Sequence, residues 1–147
     1  MIKQAPDHHD ADLVLKLYDL RRETVMRQSR STIVKWIPRT YEEVVAITNL
    51  SHPDNAPWRQ VSSYFEMAYS FARHGIVQPD FLAENAGEGL LLFAKLEPHL
   101  PRLRKELSPT ILQNTEWLVQ NSAFARQRLE LMRKRIATMM AAQPAKV

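Results

Sequence analysis

Three glycines in 147 residues, Gly75, Gly87 and Gly89, with no Asn-Gly or Asp-Gly pair, leave a sheet without the tight turns it needs. No stretch alternates apolar and polar residues over the length of a strand. Prolines and capping residues instead cut the chain into helical lengths. The pattern predicts an all-α fold, one helical domain over 1–147 built as a bundle of five or six helices. The termini, 1–9 and 143–147, are expected to fray.

The first helix is expected over 10–36, begun by Asp7, Asp10 and Asp12 and stopped by Pro38. Leu13, Leu17, Leu20 and Thr24 make its inward stripe. Thr40-Tyr41-Glu42-Glu43 has the form of a capping box for a short second helix. SHPDNAP (51–57) is a loop, and a third helix follows over 57–74, closed by Gly75 in the left-handed position. Gln78-Pro79-Asp80 opens a fourth. A fifth, over 88–107, contains Pro98 and Pro101 and should kink or restart near Glu97. Ser108-Pro109 reads as an N-cap followed by proline at the first helical position. The long last helix runs to about 142, and Asn121-Ser122 offers a place where it breaks.

In that last segment Ile111, Thr115, Leu118, Ser122, Ala125, Leu129, Met132, Ile136 and Met139 recur at alternating steps of four and three. Such a heptad seam serves either packing along a bundle or a coiled coil with another chain.

Composition removes several chemistries. Without cysteine there is no disulfide, thiolate metal site or cysteine nucleophile. The longest apolar run, GLLLFA (89–94), is far shorter than the roughly 20 residues of a membrane span, and the start of the chain lacks the apolar core of a signal peptide. A cytoplasmic protein is the simplest expectation. Charge is uneven: residues 126–147 hold six basic groups and one acid, whereas the other 125 hold 14 basic and 15 acidic groups. Arg126, Arg128, Arg133, Lys134 and Arg135 form a basic patch that could meet nucleic acid or an anionic surface, or simply be solvated.

No phosphate loop, G-x-S-x-G, H-E-x-x-H or Glu-x-x-His pattern is present, and no catalytic residue is assigned. No cofactor is expected. His8, His9 and Asp12 are weak metal candidates, for which acids at a helix start are explanation enough. In YFEMAYSFARHG (64–75) a helical wheel puts Glu66 in a polar strip with Ser62, Ser70 and Arg73, opposite an apolar arc of roughly 200° that includes Met67. This third helix should therefore be central. Glu66, Tyr69, Arg73 and Glu97 are the candidates for lining a ligand pocket.

DLVLKLYDLRRETVMR (12–27), SSYFEMAYSFARHGIV (62–77) and LLLFAKLEPHLPRLR (90–104) resemble a family of small, mostly helical bacterial proteins of unknown function. The resemblance implies a compact helical domain and carries over no functional residue. It singles out Arg21, Arg22, Glu66 and Glu97, charges within apolar motifs, as candidates for buried ion pairs. A non-catalytic interaction or assembly module, with itself or another protein as partner, is the leading functional expectation. Nucleic-acid or anionic-surface binding and a small-molecule-binding or enzymatic bundle are its alternatives.

Overall fold

A computed structural model describes residues 1–143. In chain order they form α1 (His8–Arg21), α2 (Thr24–Lys35), α3 (Tyr41–Ile47), α4 (Asn55–Arg73), α5 (Pro79–Asn85), α6 (Gly89–Leu96), a 3-10 turn (Glu97–His99), α7 (Leu100–Glu106), α8 (Gln113–Asn121) and α9 (Ala123–Ala142). The described residues contain no strand. The helices outnumber the five or six expected because three of the expected helices are divided.

The first division falls at Arg22-Glu23. Glu23 turns out of the helix, and its carboxylate accepts from the amides of Val25 and Met26, both at 3.0 Å, so it acts as the N-cap of α2. The stripe drawn through Leu13, Leu17, Leu20 and Thr24 is therefore cut. Leu17 is buried, but Leu20 is 55% exposed. The second division is at Pro98 and Pro101, where α6 gives way to the 3-10 turn and then α7. The third is at Ser122, whose hydroxyl accepts from the Ala125 amide at 3.0 Å and donates to Asp80 at 2.5 Å, tying the start of α9 to α5. The last helix is thus not continuous through Asn121.

Two local signals are met as read. Thr40 and Glu43 exchange the reciprocal bonds of a capping box. Gly75 has φ +75°, and the amides of Gly75 and Ile76 reach back to Ala72 and Phe71 in a Schellman closure of α4. Ser108-Pro109 corrects the reading: α8 starts at Gln113, because Leu112 takes a left-handed φ of 53° and separates the turn at 109–112 from the helix.

Two of α4's flanks meet α2 and α8, while α9 lies along α6 with α5 and α8 beside it. With neighbours on two sides, α4 takes the central place expected of it, and α6 is enclosed more fully still: every residue of GLLLFAKL (89–96) is buried. The heptad seam is spent inside the molecule. Thr115, Leu118, Ser122, Ala125, Leu129, Met132 and Ile136 are all buried, and buried apolar residues from α1 to α9 form one cluster. No helix among the described residues is long and apolar enough to cross a membrane.

The start of the chain makes several polar contacts with the helices. The Lys3 ammonium bonds Asp10 and stands 2.9 Å from Asp7. Asp7 caps α1, and the fully buried Asp10 accepts from the Gln78 amide at 2.9 Å. At the other end Gln143 closes α9 through a bond to Met139, and residues 144–147 lie outside the described residues.

Candidate functional site

Glu66 is half-buried at the edge of α4, and no arginine of the first helix covers it. Its carboxylate spans to the start of α8, where it accepts from the amides of Asn114 (3.0 Å) and Thr115 (2.9 Å) and from the Thr115 hydroxyl (2.6 Å). These are the second and third amides of a helix whose own N-cap position is a leucine, incapable of capping. Asn114 returns a bond to the Glu66 carbonyl at 3.1 Å and accepts from Arg73 at 2.9 Å. Glu66 and Arg73 thus hold α8 onto α4. A shallow hollow of about 390 Å³ beside Glu66 is walled mainly by Trp58, Ile111 and Leu112.

The other pocket candidates do not converge on it. Tyr69 is fully buried between α4 and α6 and donates to the Ala86 carbonyl at 2.7 Å, and burial pushes its phenol well above the usual range. Glu97 pairs with Arg133 of α9, 36 residues away, on the surface. The buried ion pairs sought at Arg21, Arg22, Glu66 and Glu97 are not formed among these four. Arg21 reaches Glu88 only at 4.0 Å, Arg22 lies by the Tyr18 ring, and Arg30 is the close partner of Glu88 at 2.6 Å. Spacing could not foresee this, since the partners come from α6, α8 and α9.

His8, His9 and Asp12 are exposed. Among the described residues no group of three or more His, Cys, Asp or Glu stands where it could share a metal ion. The basic patch is divided. Arg126 donates to the carbonyls of Val119 and Gln120 at the end of α8, both at 3.0 Å, and Arg133 is held by Glu97 and Glu130. Lys134 and Arg135 are exposed, and Arg128 lies over the Phe124 ring.

A buried cation that the sequence reading passed over is Lys95 of α6. Its ammonium donates to the carbonyls of Ile33 (2.6 Å) and Val34 (2.9 Å), the negative end of α2. Arg30 and Glu88 are the charged groups sharing the small cavity at its side. Burial lowers its affinity for the proton, to a pKa of about 8. The unfolded chain keeps that proton up to the ordinary value of 10.5. Between these limits the unfolded state binds more protons, so stability rises with pH through the window, by on the order of 2–3 kcal/mol at most. Lys95→Met lacks the effect, so urea unfolding across pH 7 to 11 should show the wild type gaining on the variant above pH 8. A constant difference would show that the ammonium titrates ordinarily.

The surface feature left unpartnered is an apolar groove between the α1–α2 corner and α4. About 530 Å³ in volume, it is lined by Leu20, Met26, Tyr64 and Met67, with Glu23, Gln60 and Ser63 among them. Tyr64 anchors it by donating its hydroxyl to the Leu17 carbonyl. Glu23 is occupied in capping α2, and Gln60 accepts from Ser29 at 2.9 Å. Leu20 and Met67, which the sequence reading assigned to the core, expose 55% and 42% of their surface here. The signal for Leu20 would have been the helix break at Glu23; Met67 lies at the edge of its apolar arc.

A family model described as a domain of unknown function (DUF4760) matches residues 6–122. No curated protein and no solved structure matches the chain.

Proposed function

The chain belongs to the DUF4760 family, a domain of unknown function, and from that premise we propose that it is a non-catalytic assembly module whose partner is a second copy of itself. The observation that carries this reading is the groove of Leu20, Met26, Tyr64 and Met67. Apolar side chains that line a concave surface and still stand in water favour association. Protruding Leu20 and Met67 share one patch with the hollow they border, so two copies related by a two-fold axis could insert each other's side chains. Met67, 42% exposed, suits an interface that must adapt to its own image, while the buried Met26 forms the floor beneath it. The one charge in the lining, Glu23, is already held by α2 amides, so no free carboxylate opposes its symmetry mate.

Support for a non-catalytic reading comes from where the polar candidates are engaged. Glu66, Tyr69, Arg73 and Glu97 each hold one element against another. The basic helix gives nucleic-acid binding less support than its charge suggested, because Arg126 and Arg133 have intramolecular partners. Seven of the nine heptad-seam residues are likewise buried within the molecule, which leaves the seam little surface for another chain.

Light scattering over a concentration series should report a dimer with Kd on the order of 10 µM, typical of a small interface. Leu20→Glu and Met67→Glu should each weaken it at least about tenfold, since each places a carboxylate in the contact from both copies. Leu50→Glu, at a site 80% exposed beyond α3, serves as the control and should leave the dimer intact. A monomer at every concentration, or a dimer indifferent to both groove variants, would overturn the proposal.

A further inference from the structure

Between α1, the α5–α6 turn and α9 lies a second cavity, of about 280 Å³. It is lined by Arg21, Arg128 and Arg135, by Glu84, Asn85, Gly87 and Glu88, and on one side by Val34, Leu91 and Met132. We propose that it binds a small phosphate-bearing molecule, the arginines taking the phosphate.

The α9 residues Arg128, Met132 and Arg135 stand at i, i+4 and i+7, on one face of the helix beside the buried seam of Leu129, Met132 and Ile136. The two arginines thus enter from the same side. Their positions differ from those of Arg126 and Arg133, whose guanidinium groups are satisfied within the protein. Among the described residues neither Arg128 nor Arg135 forms a side-chain hydrogen bond or an ion pair; Arg128 has only the Phe124 ring, 5.6 Å from its guanidinium carbon. From the opposite wall, the Arg21 Nε is buried and has no hydrogen-bond partner. An unsatisfied buried N–H of a cation is costly unless something accepts from it.

The turn between α5 and α6 leaves room for this. A Cβ at Gly87 would meet the Ala83 carbonyl oxygen at 2.8 Å, which is what requires glycine there, and would stand at ordinary contact distance, 3.6 Å, from Cγ and Nε of Arg128, which lies alongside this turn. Tyr69 holds the turn by its bond to Ala86.

Charge favours a dianion. Four guanidinium groups, those of Arg21, Arg128, Arg135 and of Arg30 behind Glu88, face two carboxylates, leaving two positive charges. Glu88 is already neutralised by Arg30 at 2.6 Å. Planar guanidinium forks match phosphate oxygens, whereas Glu84 and Asn85 offer acceptors that a bare anion does not use but an alcohol does. The volume, at the low end of small-molecule sites, suits a short sugar or glycerol phosphate better than a nucleotide. This site is separate from the apolar groove and does not depend on it.

The full chain, labelled with ¹³C at its methionine methyls, provides a local reporter, because Met132 lines this cavity and Met67 the other groove. Inorganic phosphate, glycerol 3-phosphate and ribose 5-phosphate, each titrated against sodium chloride of equal ionic strength, should shift the Met132 methyl saturably and leave Met67 still. Esters binding about tenfold more tightly than inorganic phosphate would mean that Glu84 and Asn85 read the alcohol. Equal affinities would mean that the phosphate alone is read. Arg128→Gln and Arg135→Gln should each weaken binding at least about tenfold, whereas Lys134→Gln removes the same charge outside the cavity and should change it less than about twofold. No saturable shift, or binding that falls as much with Lys134→Gln as with Arg128→Gln, would overturn the site.

Discussion

Gly89→Ala is expected to cost about 3 kcal/mol, a large loss for the addition of one methyl group. A Cβ at this position would stand 2.6 Å from the Tyr69 hydroxyl and 2.7 and 2.8 Å from Cγ and Cβ of Phe65. Neither neighbour can retreat, because Phe65 is 2% exposed and Tyr69 not at all. Relief must therefore come from separating α4 and α6 at their closest approach. That movement would lengthen the bond from Tyr69 to Ala86, leaving a buried hydroxyl and carbonyl poorly paired. For a domain of this size the melting temperature should fall by roughly 6–12 °C. Tyr69→Phe removes the nearest clashing atom, so the double variant should lose less than the sum of the two single losses. Urea unfolding of the four proteins measures this directly. A Gly89→Ala loss below about 1 kcal/mol, or strict additivity with Tyr69→Phe, would mean that the helices do not meet there so closely.

The same contact shows what a sequence of this kind makes legible. Features that rest on near neighbours in the chain could be read: the Thr40 and Glu43 box, the left-handed Gly75, the interruption at Pro98 and Pro101, and the Ser122 cap. Features that rest on distant partners could not. Glu23 is not a preferred N-cap type, and an unbroken stripe through Leu20 and Thr24 looked as good as a broken one, so the α1–α2 turn was hidden. Ser108-Pro109 has better starting chemistry than Leu112-Gln113, yet the helix begins at the latter, where a carboxylate from another helix is waiting. The heptad period was correctly placed in register, but periodicity does not say whose surface fills it. For the sites, charge and apolarity could be counted from the chain. Which arginines find partners, and which leucine and methionine stay in water, follows from how α1, α4, α6 and α9 meet.

Glu66 is where those two kinds of information part, and its replacement tests the distant kind. Glu66→Ala should destabilise the protein by about 2–4 kcal/mol, because it leaves two helix-start amides and the buried Thr115 without their acceptor. Glu66→Gln keeps the length of the side chain and one oxygen but gives up the negative charge at the positive end of α8. Its loss should be smaller, about 1–2 kcal/mol. Glu97→Gln breaks an ion pair with Arg133 whose side chains are 33% and 43% exposed, and solvent screening there holds the loss below about 1 kcal/mol. Denaturant unfolding should therefore rank the three variants in that order. Hydrogen exchange should show the opening localised: the amides of Asn114 and Thr115 lose protection in Glu66→Ala while those in the middle of α6 keep theirs. A Glu66→Ala loss under about 0.5 kcal/mol, the usual surface value, would show that α8 needs no external cap. The carboxylate would then be available for other work, and the shallow hollow beside it, walled by Trp58, Ile111 and Leu112, would become the place to look for a ligand.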